Sequence, residues 1–231
     1  TKEETCIHAS FLREYYNKAI DLFSDIAFNS SFPEVEVEKE KEVILDEINT
    51  YKDSPAEEIF DEFENNLYKG HEMGRNILGT SSLVSNYTRK DICSFLKNNY
   101  STERMVIATV GDIPFEKFKQ KISSYFAEYK LRELNLNRKN FTGLPAFTEV
   151  QDRNNHLSHC IIGGLSYHID SPKKMQMVLL NNILGGPGMN SRLNLNIREK
   201  YGFAYTIESQ YNAYSDTGNF SIYMGVDPQS L

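Results

Sequence analysis

The sequence predicts an α+β fold, on three observations. Short runs with strand character alternate along the chain with amphipathic helical stripes. The last two strand-like runs, residues 203–211 and 219–226, are joined by a turn-forming Y-S-D-T-G and read as a pair. The start of the chain also parallels the stretch around Thr206, a weak repeat with a period of about 205 residues.

In order, residues 5–12 (T-C-I-H-A-S-F-L) read as a strand. Tyr16, Ala19, Ile20, Phe23 and Ala27 form one helical stripe, broken by N-S-S-F-P over residues 29–33. A Glu-rich helix follows over residues 36–52, its acidic first turns suiting a helix N-terminus. Ser54 is the expected N-cap of the next helix and Pro55 its first residue. Residues 70–79 read as a glycine-punctuated loop. Thr88, with Asp91 three residues on, caps a short helix. Residues 105–110 (M-V-I-A-T-V) read as a buried strand and residues 114–125 as a helix. The charged, Asn-rich stretch from Lys130, with Gly143 and Pro145 beyond it, is the expected linker over 130–148. Beyond it come a strand (157–165), a helix (172–184), a G-G-P-G break (185–188) and a helix (191–200).

Composition narrows the function. With 231 residues and 40% apolar content there is material for one large domain or parts of two. A net charge of −7 argues against nucleic acid or an anionic membrane as the main partner. No run approaches the roughly 18 apolar residues of a membrane span. Cys6, Cys93 and Cys160 are few, odd in number and far apart, which leaves no disulfide framework or zinc-knuckle spacing. The chain opens on Thr1 inside one strand-like run and closes on another. Both ends read as cut, so a piece of a longer protein is expected.

Three sets of residues invite a chemical reading. Glu47 follows Val43 by four residues in the Glu-rich helix and precedes Ile48 and Tyr51, inside what reads as its apolar stripe. A carboxylate there is costly unless paired. Either its stem packs while its head reaches water, or it faces inward because it binds a cation, with Glu40 two turns earlier in support. Arg198 and Tyr205, in R-E-K-Y-G-F-A-Y, have a plain reading and a sharper one. Arg198 could complement its helix dipole before a Gly202 cap, or the two could supply donors to a developing oxyanion. His156 and His159 form a close histidine pair, but on a strand they point opposite ways. G-G-P-G lacks the G-K-[ST] of a phosphate loop, and no G-x-S-x-G elbow exists.

Two blocks carry a family resemblance. The E-K-E-V-I-L-D-E of residues 40–47 resembles the paired glutamates that follow the inverted H-x-x-E-H motif of pitrilysin/insulinase-type zinc metallopeptidases. The opening T-K-E-E-T resembles a strand of the same family. L-L-N-N-I-L-G-G-P-G-M-N-S-R-L (179–193) and R-E-K-Y-G-F-A-Y (198–205) resemble its second homologous domain. The resemblance implies two homologous α+β domains, each a mainly antiparallel sheet with helices packed on one face and both truncated here. Residues 1–129 would be the rear of the first, 130–148 the linker and 149–231 the front of the second. It makes Glu47 the third zinc ligand, Glu40 its support, and Arg198 and Tyr205 the groups that contact substrate and steady the tetrahedral intermediate.

H-x-x-E-H itself is absent and would fall upstream of Thr1. The resemblance therefore implies a zinc-dependent endopeptidase as the parent, taking peptides or small unfolded proteins into a closed chamber as a dimer or a two-half clam. This chain alone is expected to bind no zinc tightly and to cleave nothing. The alternative is a non-catalytic substrate-binding or scaffold subunit of the same family. A cytoplasmic or periplasmic location suits either. The peptidase reading leans on Glu47 facing inward; a carboxylate in bulk solvent, remote from where the missing segment would dock, overturns it.

Overall fold

The structure, a computed structural model, describes residues 1–127, 129, 138–141, 143, 145–153 and 155–230. Its main elements are α1 (Tyr16–Phe28), α2 (Glu34–Lys52), α3 (Pro55–Leu67), α4 (Ser81–Asn86), α5 (Arg89–Asn99), α6 (Phe115–Phe126), β1 (Ser158–Leu165) and α7 (Lys174–Gly185). A π-helix (Asn194–Lys200), β2 (Ala204–Ala213) and β3 (Gly218–Val226) follow. Mixed helix and antiparallel sheet make this an α+β chain. It folds as two compact units, one of Thr1–Glu3, Leu45–Ser81 and Lys139–Leu231, the other of Glu4–Ile44 and Ser82–Arg138. Residues 130–137, the heart of the expected linker, lie outside the described residues.

In the first unit the sheet order is β1-β3-β2, both pairs antiparallel. Ser209, Ile222 and Ile162 are cross-strand neighbours and share one face; Gln210, Ser221 and Gly163 share the other. α7 covers the first face, where the Ser209 hydroxyl donates to the Asn181 carbonyl at 3.1 Å. α3 covers the second through Phe63, against which Gly163 allows close approach, and Phe60, whose ring lies 5.2 Å from that of Tyr223. Phe63, Leu67, Tyr68 and Met73 form one core cluster. Ala204, Ile207 and Val226 form another, packed by Leu193, just before the π-helix, and Ile197 within it.

In the second unit Phe28 at the end of α1 stacks on Tyr129 at 3.6 Å and meets Phe126 edge-on at 5.5 Å. The Arg89 guanidinium donates to the carbonyls of Ser31 and Phe32. Thr88 and Asp91 form a full capping box at the start of α5, as their spacing predicts. Pro55 opens α3 after Ser54, but the Ser54 side chain makes no capping bond.

Three expectations fail. Residues 5–12 and 105–110 are not strands: the first run is exposed throughout, and in the second Val106 and Val110 are almost fully exposed. Extended backbone is held as a strand only when a neighbour takes its N–H and C=O groups, and among the described residues neither run has one. Glu47 does not face the interior. The buried stripe of α2 is Val37, the Lys41 stem, Ile44 and Ile48. Glu47 lies one residue, about 100° of helical turn, off that stripe. It shares the exposed side with Glu40, Val43 (58% exposed) and Tyr51 (37%).

Candidate functional site

Arg198 and Tyr205 sit on two backbone irregularities a few residues apart. The helix expected over residues 191–200 winds from Asn194 as a π-helix, one residue wider per hydrogen-bonded turn than α. Leu193 and Ile197 hold it on the Ala204–Ile207–Val226 cluster, and the Asn194 amide donates to the Ser191 hydroxyl at 2.9 Å. Arg198 follows Ile197 by one residue and so turns outward, exposed. The helix ends on Gly202, whose φ of +64° is the left-handed conformation a C-cap glycine supplies. Its N–H donates to the Arg198 carbonyl at 3.0 Å, and that of Phe203 to Ile197 at 3.1 Å.

The chain then enters β2 through a β-bulge. Ala204 pairs with Val226 and Thr206 with Gly225, which leaves Tyr205 as the extra residue. Ala204 is buried and Tyr205 is 62% exposed, so the bulge aims the phenol out of a fixed backbone. Tyr201 and Phe203 stack at 5.4 Å between the two, with the Lys200 ammonium 5.0 Å from the Tyr201 ring. Among the described residues neither the Arg198 guanidinium nor the Tyr205 hydroxyl has a hydrogen-bond partner. A permanent cation and a neutral hydroxyl donor therefore stand free to meet a carbonyl or carboxylate oxygen.

Glu47 belongs to the same compact unit as Arg198 and Tyr205, Glu40 to the other. The Glu47 carboxylate makes no hydrogen bond or ion pair among the described residues. It offers a metal one free carboxylate. Among the described residues no group of three His, Cys, Asp or Glu side chains that could hold a metal ion comes together. This donor set does not make a zinc site.

Two of the five histidines have structural partners. His159 Nδ1 meets the Tyr223 hydroxyl at 2.9 Å, and burial lowers the His159 pKa while raising that of Tyr223. His71 Nδ1 accepts the Met73 N–H at 3.2 Å and its Nε2 meets the Lys139 carbonyl at 2.7 Å.

A buried polar cluster escapes the sequence reading altogether. Lys2 and Glu64 pair at 2.6 Å, and the second Glu64 oxygen accepts from Tyr214 and Asn219. Beside them Tyr68 is fully buried, which pushes its hydroxyl up to about 12, and burial likewise raises Tyr214. One signal was available: Glu64 interrupts the apolar stripe of α3 between Phe63 and Leu67, four residues after Phe60.

Comparison with known proteins decides the family. Residues 1–81 match the family model of Insulinase (peptidase family M16), and residues 86–231 match that of the peptidase M16 inactive domain. The chain belongs to peptidase family M16. Two relatives illustrate the likeness. An uncharacterized zinc protease of Bacillus subtilis, YmxG, is 31% identical over 100% of this chain and 56% of its own length. An uncharacterized zinc protease of Rickettsia felis is 34% identical over 96% of this chain and 53% of its own. The chain thus spans about half the length of the curated relatives it matches.

Among solved structures, a peptidase M16 inactive domain from Pseudomonas fluorescens superposes with a TM-score of 0.82 at 21% identity, over 93% of this chain and 52% of that one. A protease from Helicobacter pylori gives 0.80 at 22%, over 94% and 54%. A chain of complex III2 from Candida albicans gives 0.77 at 17%, over 95% and 54%. At such identities the likeness is one of fold. No described helix is long and apolar enough to cross a membrane.

Proposed function

We propose that the whole protein is a zinc-dependent endopeptidase acting on peptides or small unfolded proteins, and that Arg198 and Tyr205 hold the substrate's carbonyl oxygen. The observation that carries this is the placing of two unpartnered donors on a π-helix and a β-bulge, within a family whose relatives are named zinc proteases. Such irregularities cost regular hydrogen bonding and recur where a side chain must be aimed at a ligand. The buried cluster beneath them fixes the backbone, so the donors need little reorganisation as charge builds on the oxygen.

A zinc ion with Glu47 as one ligand and Glu40 in support would supply Lewis-acid and water-activating chemistry in the whole protein. The exposure of Glu47 counts against this assignment, and family membership is what supports it. The substrate would be an extended peptide in a closed chamber formed by two homologous halves or a dimer, pairing with a sheet edge.

The test is steady-state hydrolysis of peptides by the full-length protein and by its Tyr205→Phe and Arg198→Ala forms. Each substitution is expected to lower kcat by about 10²–10³-fold with a small change in KM, the pattern of a lost oxyanion donor. Unchanged kcat in both removes these roles. A full-length protein that binds peptides and cleaves none is the non-catalytic subunit instead.

A further inference from the structure

The Lys2–Glu64 cluster joins the two stretches that match different family models. Lys2 and Glu3 come from the start of the chain and Glu64 from α3, all within residues 1–81. Tyr214, Ser215 and Asn219 come from the β2–β3 turn and the start of β3, within residues 86–231. All belong to one compact unit. Lys2 Nζ lies 2.6 Å from Glu64 Oε2 and donates to the Met73 carbonyl at 2.7 Å, the two side chains being only 9% and 15% exposed. Glu64 Oε1 accepts from the Tyr214 hydroxyl at 3.0 Å and from Asn219 Nδ2 at 2.9 Å. Asn219, 1% exposed, accepts from Asn212 at 3.1 Å. The Glu3 carboxylate takes the Ser215 N–H at 2.9 Å and its hydroxyl at 2.8 Å.

Such a cluster contributes less to stability than to the choice of one arrangement. Two charges brought out of water gain little over apolar side chains of the same shape, but any displacement leaves a buried charge unpaired. α3 also meets the sheet through Phe63 on Gly163 and Phe60 on Tyr223, contacts without charge or hydrogen bond. The polar cluster grips the Tyr214 end of the β2–β3 hairpin, and β2 carries Tyr205 at its other end.

We infer that Lys2 and Glu64 are positioning residues: their buried pair sets the register of α3 against the β2–β3 hairpin. Through that register it places Tyr205 relative to the elements of residues 45–67. The catalytic consequence rests on the function proposed above; the register does not.

The test uses the full-length protein with Cys6, Cys93 and Cys160 replaced by Ser and nitroxide labels at two exposed positions, Glu57→Cys on α3 and Thr206→Cys on β2. The distance distribution is expected to be narrow with Lys2 and with Lys2→Arg. It is expected to broaden or shift in Lys2→Met and in the apolar pair Lys2→Met/Glu64→Leu, which removes the charges together and keeps the fold even if the single variant unfolds. A folded double variant with an unchanged narrow distribution overturns the inference. Where the unlabelled full-length protein cleaves peptides, the folded double variant is expected to lose about 10²-fold in kcat with KM little changed, and Lys2→Arg to restore it. Equal loss in Lys2→Arg, or none in the double variant, also overturns it. Absence of peptidase activity in the full-length protein removes the proposed function and leaves the distances to decide the register.

Discussion

Lys2 and Glu64 meet at 2.6 Å with both side chains nearly out of water, and every oxygen of that carboxylate is occupied by a donor. Removing one partner leaves the other buried and charged. Lys2→Met alone is therefore expected to lower unfolding free energy by about 3–5 kcal/mol, and Lys2→Met/Glu64→Leu to recover part of it, since the Tyr214 hydroxyl and Asn219 amide then lose their acceptor. Urea melts of the two variants check this; equal losses in both would mean that packing, not charge, is what the pair supplies.

Gly163 sits under α3 with no room for a methyl group. A Cβ there would lie 2.8 Å from Phe63 Cζ and 2.9 Å from Ser221 Cα, and closer still to the Phe220 carbonyl. The backbone atoms cannot yield without parting β1 from β3. Gly163→Ala is expected to destabilise by about 1–3 kcal/mol, whereas Gly164→Ala, with open space beside it, costs little. Thermal melts of the two variants make the comparison.

Thr88 holds the Asp91 carboxyl below its ordinary range, first through its hydroxyl and then through its N–H, at 2.6 and 2.9 Å. The folded pKa lies below the unfolded one, so the contribution to stability is complete above the ordinary carboxylate pKa. It is lost as pH falls through the lowered value. Carbon-detected titration is expected to show Asp91 moving up towards its ordinary pKa in Thr88→Val. An unmoved midpoint would show that the capping box does not hold in solution.

Much of the fold was legible because its signals are local. The Thr88–Asp91 box, Pro55 at a helix start, Gly202 as a cap and the β2–β3 pair each depend on a few adjacent residues. Residues 5–12 and 105–110 were misread because strand propensity describes a run, while a strand exists only with a neighbour. The inward-facing carboxylate on an apolar stripe is found not on α2 but on α3, where Glu64 pairs with Lys2. On α2 the stripe was misphased by one position, since Val43 and Tyr51 lie on the exposed side. Neither the π-helix under Arg198 nor the bulge at Tyr205 has a composition that announces it. Leu193, Ile197 and Ala204, at or beside them, pack into one cluster from positions distant by up to eleven residues.

The most direct measurement is zinc content and peptide hydrolysis in one preparation of the full-length protein, with and without Glu47→Gln. Stoichiometric zinc and turnover are expected in the parent, and both are expected to be lost in the variant, because an amide is a poor replacement for a carboxylate ligand. A folded Glu47→Gln protein that keeps its zinc and its rate contradicts the role given to Glu47, and a parent with neither zinc nor hydrolysis contradicts the peptidase reading itself.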